Sequence, residues 1–249
     1  MHQYQNQLGQ PIGAPLTVTL PRPRPSPAKL QGRFCSVVQT DPVGHAPALF
    51  EAFQADREHR LWTYLPYGPF ADLDAFRGWI TGACADADPL FQTILDPTGQ
   101  PMGLASYLRI DPAAGVIEVG HINLAPALQR TSAATEAMFL MMAHVFDTLG
   151  YRRYEWKCDA LNAPSRSAAL RLGFSYEGIF RKATHYKGRN RDTAWFSVVD
   201  DEWPTLRDAF ARWLSPDNVD DQGRQKRSLA SLRATGPSDR ITSAESLGH

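Results

Sequence analysis

The sequence predicts a mixed α/β (α+β) fold in which a central, mostly antiparallel sheet is flanked by helices. The first observation is a strand over residues 116–124, then a polar turn and an apolar helix that ends at Gly150, followed by a strand over 151–159. A strand, a helix and a strand in this order predict a right-handed parallel crossover. The second observation is that short strands bounded by turn residues precede and follow this unit, which is typical of antiparallel pairs.

Composition indicates a globular protein without general affinity for polyanions. The 249 residues include 26 Lys plus Arg and 26 Asp plus Glu, so the formal net charge is zero. Balanced charge gives no electrostatic footprint for nucleic acid or an anionic membrane, so we expect neither as a partner. The chain has no run of about 18 apolar residues that could span a bilayer. Its Gln-, Asn- and Pro-rich start lacks the apolar stretch of a secretory signal, so we expect a cytoplasmic protein.

The cysteines indicate neither a disulfide framework nor a metal centre. Cys35, Cys84 and Cys158 are far apart, odd in number and form no CxxC pair. This pattern favours reduced, mostly buried thiols, and no metal is expected. Cys158 lies on a predicted strand without an adjacent base motif, which favours a structural thiol over a nucleophile.

Changes in composition divide the chain into three parts. Residues 1–30 form a Pro-rich extension in which Pro21, Pro23, Pro25 and Pro27 alternate, and they are expected to be a tail or a covering arm. Residues 31–214 carry the predicted domain. Residues 215–249 are polar with little apolar periodicity, so we expect disorder there.

The first half of the domain combines a strand, two helices and a hairpin. A strand over residues 32–39 is followed by a helix that Asp41 opens, and Asp72 caps the next helix. Between the helices, the aromatic segment 61–70 forms either a lid or pocket wall, or a plug at one end of the core. The turn Asp96-Pro97-Thr98-Gly99 then predicts a hairpin of the strands 91–95 and 102–108.

The second half begins with the crossover and ends with another antiparallel pair. The remaining predicted elements are a short helix from Pro164 or Ser165 to about Leu172, strands over 179–186 and 193–199, and a helix over 203–214. The domain order is therefore β-α-α-β-β-β-α-β-α-β-β.

The turn between the central strand and its helix is a candidate anion site. A helix that begins at a polar turn has amides without intrahelical partners and the positive end of the helix dipole. Such a turn can hold a phosphate. The alternative is an ordinary strand–turn–helix connection.

Four motifs in register resemble the GNAT superfamily of acyl-CoA-dependent N-acetyltransferases. The resemblance covers about residues 33–203 and is nearest to the branch that acetylates the amino termini (alanine or serine) of ribosomal proteins. The motifs are Gln129-Arg130-Thr131-Ser132-Ala133-Ala134, similar to the family pattern Q/R-x-x-G-x-G/A; Asn162-Ala163-Pro164-Ser165, similar to N-x-x-S; Leu172-Gly173-Phe174-Ser175-Tyr176-Glu177-Gly178; and Trp195 to Asp200 with Glu202-Trp203.

The resemblance implies a GNAT fold with a β-α-β core that binds coenzyme A. It implies acetyl-CoA as a cosubstrate and direct transfer of the acetyl group to an amine, without a metal. Ser132 departs from the pattern because it stands at the first glycine position, so its side chain must turn outward or bond the phosphate. The implied coenzyme-binding residues are the backbone of Ile122, Asn123 and Leu124 for the pantetheine arm, Gln129, Arg130, Thr131, Ser132, Ala133, Ala134 and Thr135 for the pyrophosphate, and Asn162 and Ser165.

The implied catalytic residues include one donor and three candidate bases. Ser165 stands where the branch places a hydrogen-bond donor to the leaving thiolate. Glu118 and His121 are candidate bases on the central strand, and their odd separation predicts that they point to opposite faces. His121 suits proton removal near neutral pH but could be a core residue. His185 is the third candidate base.

Two functions from different classes remain open. The leading one is an acetyl-CoA:amine N-acetyltransferase, a monomer or homodimer, whose acceptor is a protein amino terminus or a small amine. The alternative is a catalytically degenerate member that binds acyl-CoA as a sensor or interaction module. The hairpin residues Lys187, Arg189, Arg191 and Asp192 either contact the coenzyme phosphates or an acidic substrate, or form a solvated turn.

Overall fold

A central sheet of eight strands organises the protein in the computed structural model, which describes residues 4–234. The strands are β1 Tyr4–Gln5 and β2 Pro11–Ile12, a separate pair, and then β3 Leu30–Gln31, β4 Ser36–Gln39, β5 Leu90–Leu95, β6 Pro101–Asp111, β7 Val116–Leu124, β8 Arg153–Asp159, β9 Ser175–Tyr186 and β10 Arg189–Val199. The sheet order is β3-β4-β5-β6-β7-β8-β10-β9, and among the described strands only β7 and β8 pair in parallel. The predicted fold class and element order are confirmed.

Helices cover both faces of the sheet. They are α1 Ala46–Gln54, α2 Leu73–Ala83, α3 Ser132–Ala143, α4 Ala163–Arg171, α5 Trp203–Leu214 and α6 Leu229–Ala234. The predicted cap of α2 is confirmed, because Asp72 Oδ1 accepts a hydrogen bond of 2.8 Å from Ala75 N. Helix α1 begins later than predicted: Asp41 makes a turn by accepting from Val43 N, and the helix starts at Ala46. No described helix is long and apolar enough to cross a membrane.

Two apolar clusters lie on opposite faces of the sheet. One packs α3, α4 and α5 against β7, β8 and β10, and Met141, Phe196 and Phe210 are completely or almost completely buried there. The other packs α1 and α2 with the aromatic segment 61–70 against Leu104 of β6. After α3 the chain makes a π-helical turn over His144–Thr148, and Gly150 ends it with φ +68, a conformation that glycine adopts without steric cost.

The chain before the domain lies against the sheet as an arm. Arg22 Nε donates to Leu149 O at 3.1 Å, and Arg24 Nη1 donates to Ile110 O at 3.3 Å. These bonds lie beside the Gly150 turn and the end of β6, so this part of the predicted extension covers one end of the sheet.

The prediction of disorder from residue 215 is wrong for residues 215–234. Leu229 and Leu232 are buried against the core, and the Asn218 amide donates to Trp213 O, Gln225 Oε1 and Arg227 O. Two leucines three positions apart form one apolar helix face, which is too short a pattern to stand out in a polar sequence. Residues 235–249 lie outside the described part of the chain.

Candidate active site

The two parallel strands separate after four residue pairs and open a cleft in the sheet. Strands β7 and β8 are paired from Val116 with Arg153 to Val119 with Trp156. Strand β7 then continues to Leu124 and β8 to Asp159 without pairing with each other. Among the described strands, the backbone edge of residues 120–124 that faces β8 therefore has no ladder partner, and an extended ligand can add to it as a strand would.

A β-bulge at His121 gives β7 an extra residue beside this cleft. Ser106 of β6 pairs with Gly120, and Leu104 pairs with Asn123. Two residues along β6 therefore correspond to three residues along β7. His121 has φ +51, a left-handed conformation that is uncommon for a side-chain-bearing residue. The bulge therefore shifts the alternation of side chains along β7.

Because of the bulge, the prediction that Glu118 and His121 point to opposite faces is wrong. Cross-strand partners share a face of a sheet, so Glu118, Gly120 and Asn123 lie on the face of Leu108, Ser106 and Leu104. Phe91 pairs with Ser106 and shares that face, and its ring lies 5.1 Å from the His121 ring. Both candidate bases are therefore on the face that carries α1 and α2.

His121 is held as a neutral imidazole by aromatic neighbours. Its Nδ1 lies 3.0 Å from Tyr67 Oη, and the two rings stack with centroids 5.6 Å apart. Burial, together with the charges of Arg109 and Arg191, lowers the pKa of His121 to about 4. Burial also raises the pKa of Tyr67, so this phenol keeps its proton at neutral pH.

The aromatic segment 61–70 serves both as core and as pocket wall. Trp62 is buried in the α1–α2 cluster, whereas Tyr67 contacts His121 and Tyr64 Oη donates to Leu161 O at 3.2 Å. Lys187 Nζ, at the tip of the β9–β10 hairpin, donates to Trp62 O at 2.6 Å. The segment thus bridges β7, the β8–α4 loop and the hairpin, and it covers one side of the cleft.

Glu118 is a member of a buried ion-pair network. Its carboxylate accepts from Arg109 Nη1 at 2.8 Å and lies 2.9 Å from Lys157 Nζ. Lys157 also lies 2.7 Å from Glu155, which pairs with Arg153. Burial raises the pKa of Glu118 against the opposing effect of both cations. Both carboxylate oxygens are already engaged, so the arrangement favours a structural role over that of a base.

Ser165 and Asn162 approach the cleft from the other face of the sheet. Asn162 caps α4, because its Oδ1 accepts from Ser165 N at 3.2 Å. Ser165 Oγ accepts from Trp156 Nε1 at 3.0 Å. The indole can only donate, so this bond orients the hydroxyl oxygen and leaves the Ser165 proton available for another acceptor. Trp156 supplies this orientation, and its role was not foreseen from the sequence.

The start of α3 presents a row of free amides. Thr131 caps the helix by accepting from Ala134 N at 3.1 Å, and Arg130 has φ +59. Within residues 4–234 the N–H groups of positions 130–133 have no hydrogen-bond acceptor. The Ser132 hydroxyl is turned toward Gln225 Nε2, 3.4 Å away, so it leaves the amides accessible. Gln129 bonds Leu124 O instead, through its own amide at 3.0 Å.

His185 contacts none of the other candidate residues in the described part of the chain. Tyr186, the next residue on β9, donates to Asp159 Oδ2 at 2.8 Å, and adjacent residues of a strand point to opposite faces. His185 is exposed and has no side-chain partner in the described part of the chain. Cys158 is buried, and burial raises its pKa, which keeps the thiol protonated. No group of three or more His, Cys, Asp or Glu suited to a metal occurs among the described residues.

The opened sheet places an unpaired strand edge beside the free amides at the start of α3. The comparisons with known proteins identify the family. The family profile described as acetyltransferase (GNAT) domain matches residues 40–175. The chain therefore belongs to the GNAT acetyltransferase family, as the motifs predicted.

Individual relatives agree with this assignment. A GCN5-related N-acetyltransferase from Brucella melitensis is 45% identical, with a TM-score of 0.85 over 88% of this chain and 100% of that one. An uncharacterized N-acetyltransferase, p20, from Bacillus licheniformis is 29% identical over 56% of this chain and 80% of its own length. RimL, a ribosomal L7/L12 acetyltransferase solved with coenzyme A, shares the fold at 19% identity, with a TM-score of 0.60 over 70% of this chain and 99% of that one.

Proposed function

We propose that the protein is an acetyl-CoA-dependent N-acetyltransferase that transfers the acetyl group directly to a primary amine. The observation that carries the proposal is the cleft itself. His121 lies on one face of the opened sheet, Ser165 on the other, and the unpaired edge of β7 runs between them. Membership of the GNAT acetyltransferase family supports acetyl-CoA as the cosubstrate. The coenzyme A bound in the RimL structure supports it as well.

The residues around the cleft fit coenzyme A. The free amides at positions 130–133 and the positive end of α3 suit a pyrophosphate. The unpaired edge of residues 120–124 suits the amide groups of a pantetheine arm, which pair as a β-strand does. Arg130 is exposed beside the amides and adds positive charge there.

The side chains supply a base and a hydrogen-bond donor for acyl transfer. Acetyl-CoA supplies an activated acetyl group as a thioester. When His121 Nδ1 donates to Tyr67 Oη, its Nε2 carries a lone pair that can accept the proton of the attacking amine. Ser165, oriented by Trp156, donates a hydrogen bond to the sulfur that leaves and so stabilises the thiolate.

Two measurements on the purified protein test this proposal. Acetyl-CoA is expected to raise the melting temperature by binding the folded state, and free thiol is expected to appear when an amine panel is added. The panel contains amino acids, polyamines and short peptides with free amino termini. Stabilisation without thiol release would favour the sensor function, and the absence of stabilisation by any acyl-CoA would exclude both functions.

Ser165→Ala is expected to lower kcat by about tenfold or more, because a hydrogen bond to a charged leaving group is lost. The dissociation constant of acetyl-CoA should change much less, since the amides and the β7 edge remain. Steady-state kinetics and equilibrium binding separate the two effects. Ser167→Ala, an exposed position on the same helix, is the matched control. Equal turnover of Ser165→Ala and wild type would remove Ser165 from the mechanism.

A further inference from the structure

We propose that Arg191 binds a carboxylate carried by the acceptor, so that the substrate class is primary amines that are also carboxylates, such as amino acids. The inference rests on the proposed acetyltransferase function. It names a residue that selects the acceptor, separately from those that bind acetyl-CoA or move protons.

Arg191 lies at the mouth of the cleft. It is two residues before Thr193, which pairs with Asp159, the last residue of β8. At Arg191, strand β10 therefore extends beyond the end of β8. It lies beside the β8–α4 loop, where Leu161 O accepts a hydrogen bond from Tyr64. The charge of Arg191 is one of two that help to lower the pKa of His121.

The guanidinium has no counter-ion in the described part of the chain. Arg191 Nε is buried and has no hydrogen-bond partner there. Other arginines near the cleft are paired, Arg109 with Glu118 and Arg153 with Glu155 and Glu177. The Arg191 side chain as a whole is half-buried, but a buried N–H group without an acceptor is unfavourable. A site that binds an anionic ligand accounts for this arrangement.

A second buried polar group lies on the face of His121. Asn123 is 3% exposed, and neither Oδ1 nor Nδ2 has a hydrogen-bond partner among the described residues. Leu104, its cross-strand partner, belongs to the α1–α2 cluster. Buried polar groups are usually satisfied, so two unsatisfied side chains at one cleft indicate a polar ligand at that place.

The geometry favours the acceptor over coenzyme A as the source of the anion. The amides proposed for the pyrophosphate are at the start of α3, whose apolar cluster lies on the opposite face from His121. A single guanidinium matches a carboxylate of one charge through paired N–H bonds. Lys187, at the tip of the same hairpin, donates to Trp62 O.

The test compares amino acids with their amides as acceptors. Thiol release is measured for wild type, Arg191→Gln and Arg191→Lys, with Arg181→Gln on an exposed position of β9 as the matched control. We expect wild type to release thiol faster with each amino acid than with its amide. In Arg191→Gln the ratio of these two rates should fall by about tenfold or more. Turnover of the amides should change much less than turnover of the amino acids. Arg181→Gln should behave as wild type.

Melting temperature separates a binding role from a structural one. Removal of a half-buried side chain that has no ion-pair partner should leave the melting temperature of Arg191→Gln about equal to that of wild type, whereas a structural arginine would lower it. The inference is overturned if wild type favours the amides, or if the preference survives in Arg191→Gln. In either case thiol release from some amine would leave the proposed function intact. If no amine releases thiol, the proposed function fails and the inference with it.

Discussion

Replacing His121 with glutamine is expected to lower kcat/KM for amine acetylation by about 100-fold or more, the usual contribution of a general base. Glutamine keeps the size and a polar group but cannot accept a proton. Acetyl-CoA binding should change little, because the pyrophosphate amides and the β7 edge do not depend on the imidazole. Single-turnover acetylation and equilibrium binding of acetyl-CoA measure the two quantities separately.

The pH profile adds a second readout to the same variant. The pKa of His121 is lowered to about 4, so the imidazole is neutral and able to accept a proton at all higher pH values. Wild-type kcat/KM should therefore rise with pH as the acceptor amine loses its own proton, with no inflection at the ordinary histidine pKa of about 6.5. Tyr67→Phe should give a smaller loss, because it removes only the partner of Nδ1. Turnover of His121→Gln equal to wild type would exclude His121 as the base.

Local patterns were sufficient to predict the fold. The β-branched strand before Gly120, the apolar helix after Thr131 and the turn at Asp96 each depend on near neighbours, and the structure has each of them. The Thr131 cap and the free amides follow from the same local chemistry. The elements around the start of α3 could therefore be predicted from the sequence.

Features that depend on strand register or on contacts between distant residues could not be predicted from the sequence. The bulge at His121 is defined by how β7 pairs with β6, and it places His121 on the face of Glu118 against the simple alternation. The network around Glu118 joins residues from three strands, and Tyr67 reaches His121 from 54 positions away. One local signal existed for Arg191, the charged hairpin, but its lack of a partner shows only in three dimensions.

Lys157→Met is expected to lower the free energy of unfolding by about 3 kcal/mol, since removing one partner leaves buried charges uncompensated. Lys157 contacts Glu118 at 2.9 Å and Glu155 at 2.7 Å, and all three side chains are less than one tenth exposed. Its ammonium also lies 3.8 Å from the centre of the Trp195 ring. Chemical denaturation of wild type and variant measures the change.

Arg207→Met is the matched control, because it breaks an ion pair with Asp147 whose side chains are 48% and 38% exposed. Such a surface pair should cost less than about 1 kcal/mol. Adding Glu118→Gln to Lys157→Met should recover part of the loss, because it removes one of the two uncompensated carboxylates. If Lys157→Met is no less stable than Arg207→Met, the network does not hold Glu118. Glu118 would then return as a candidate base beside His121, because its engagement by Arg109 and Lys157 is what now argues against that role.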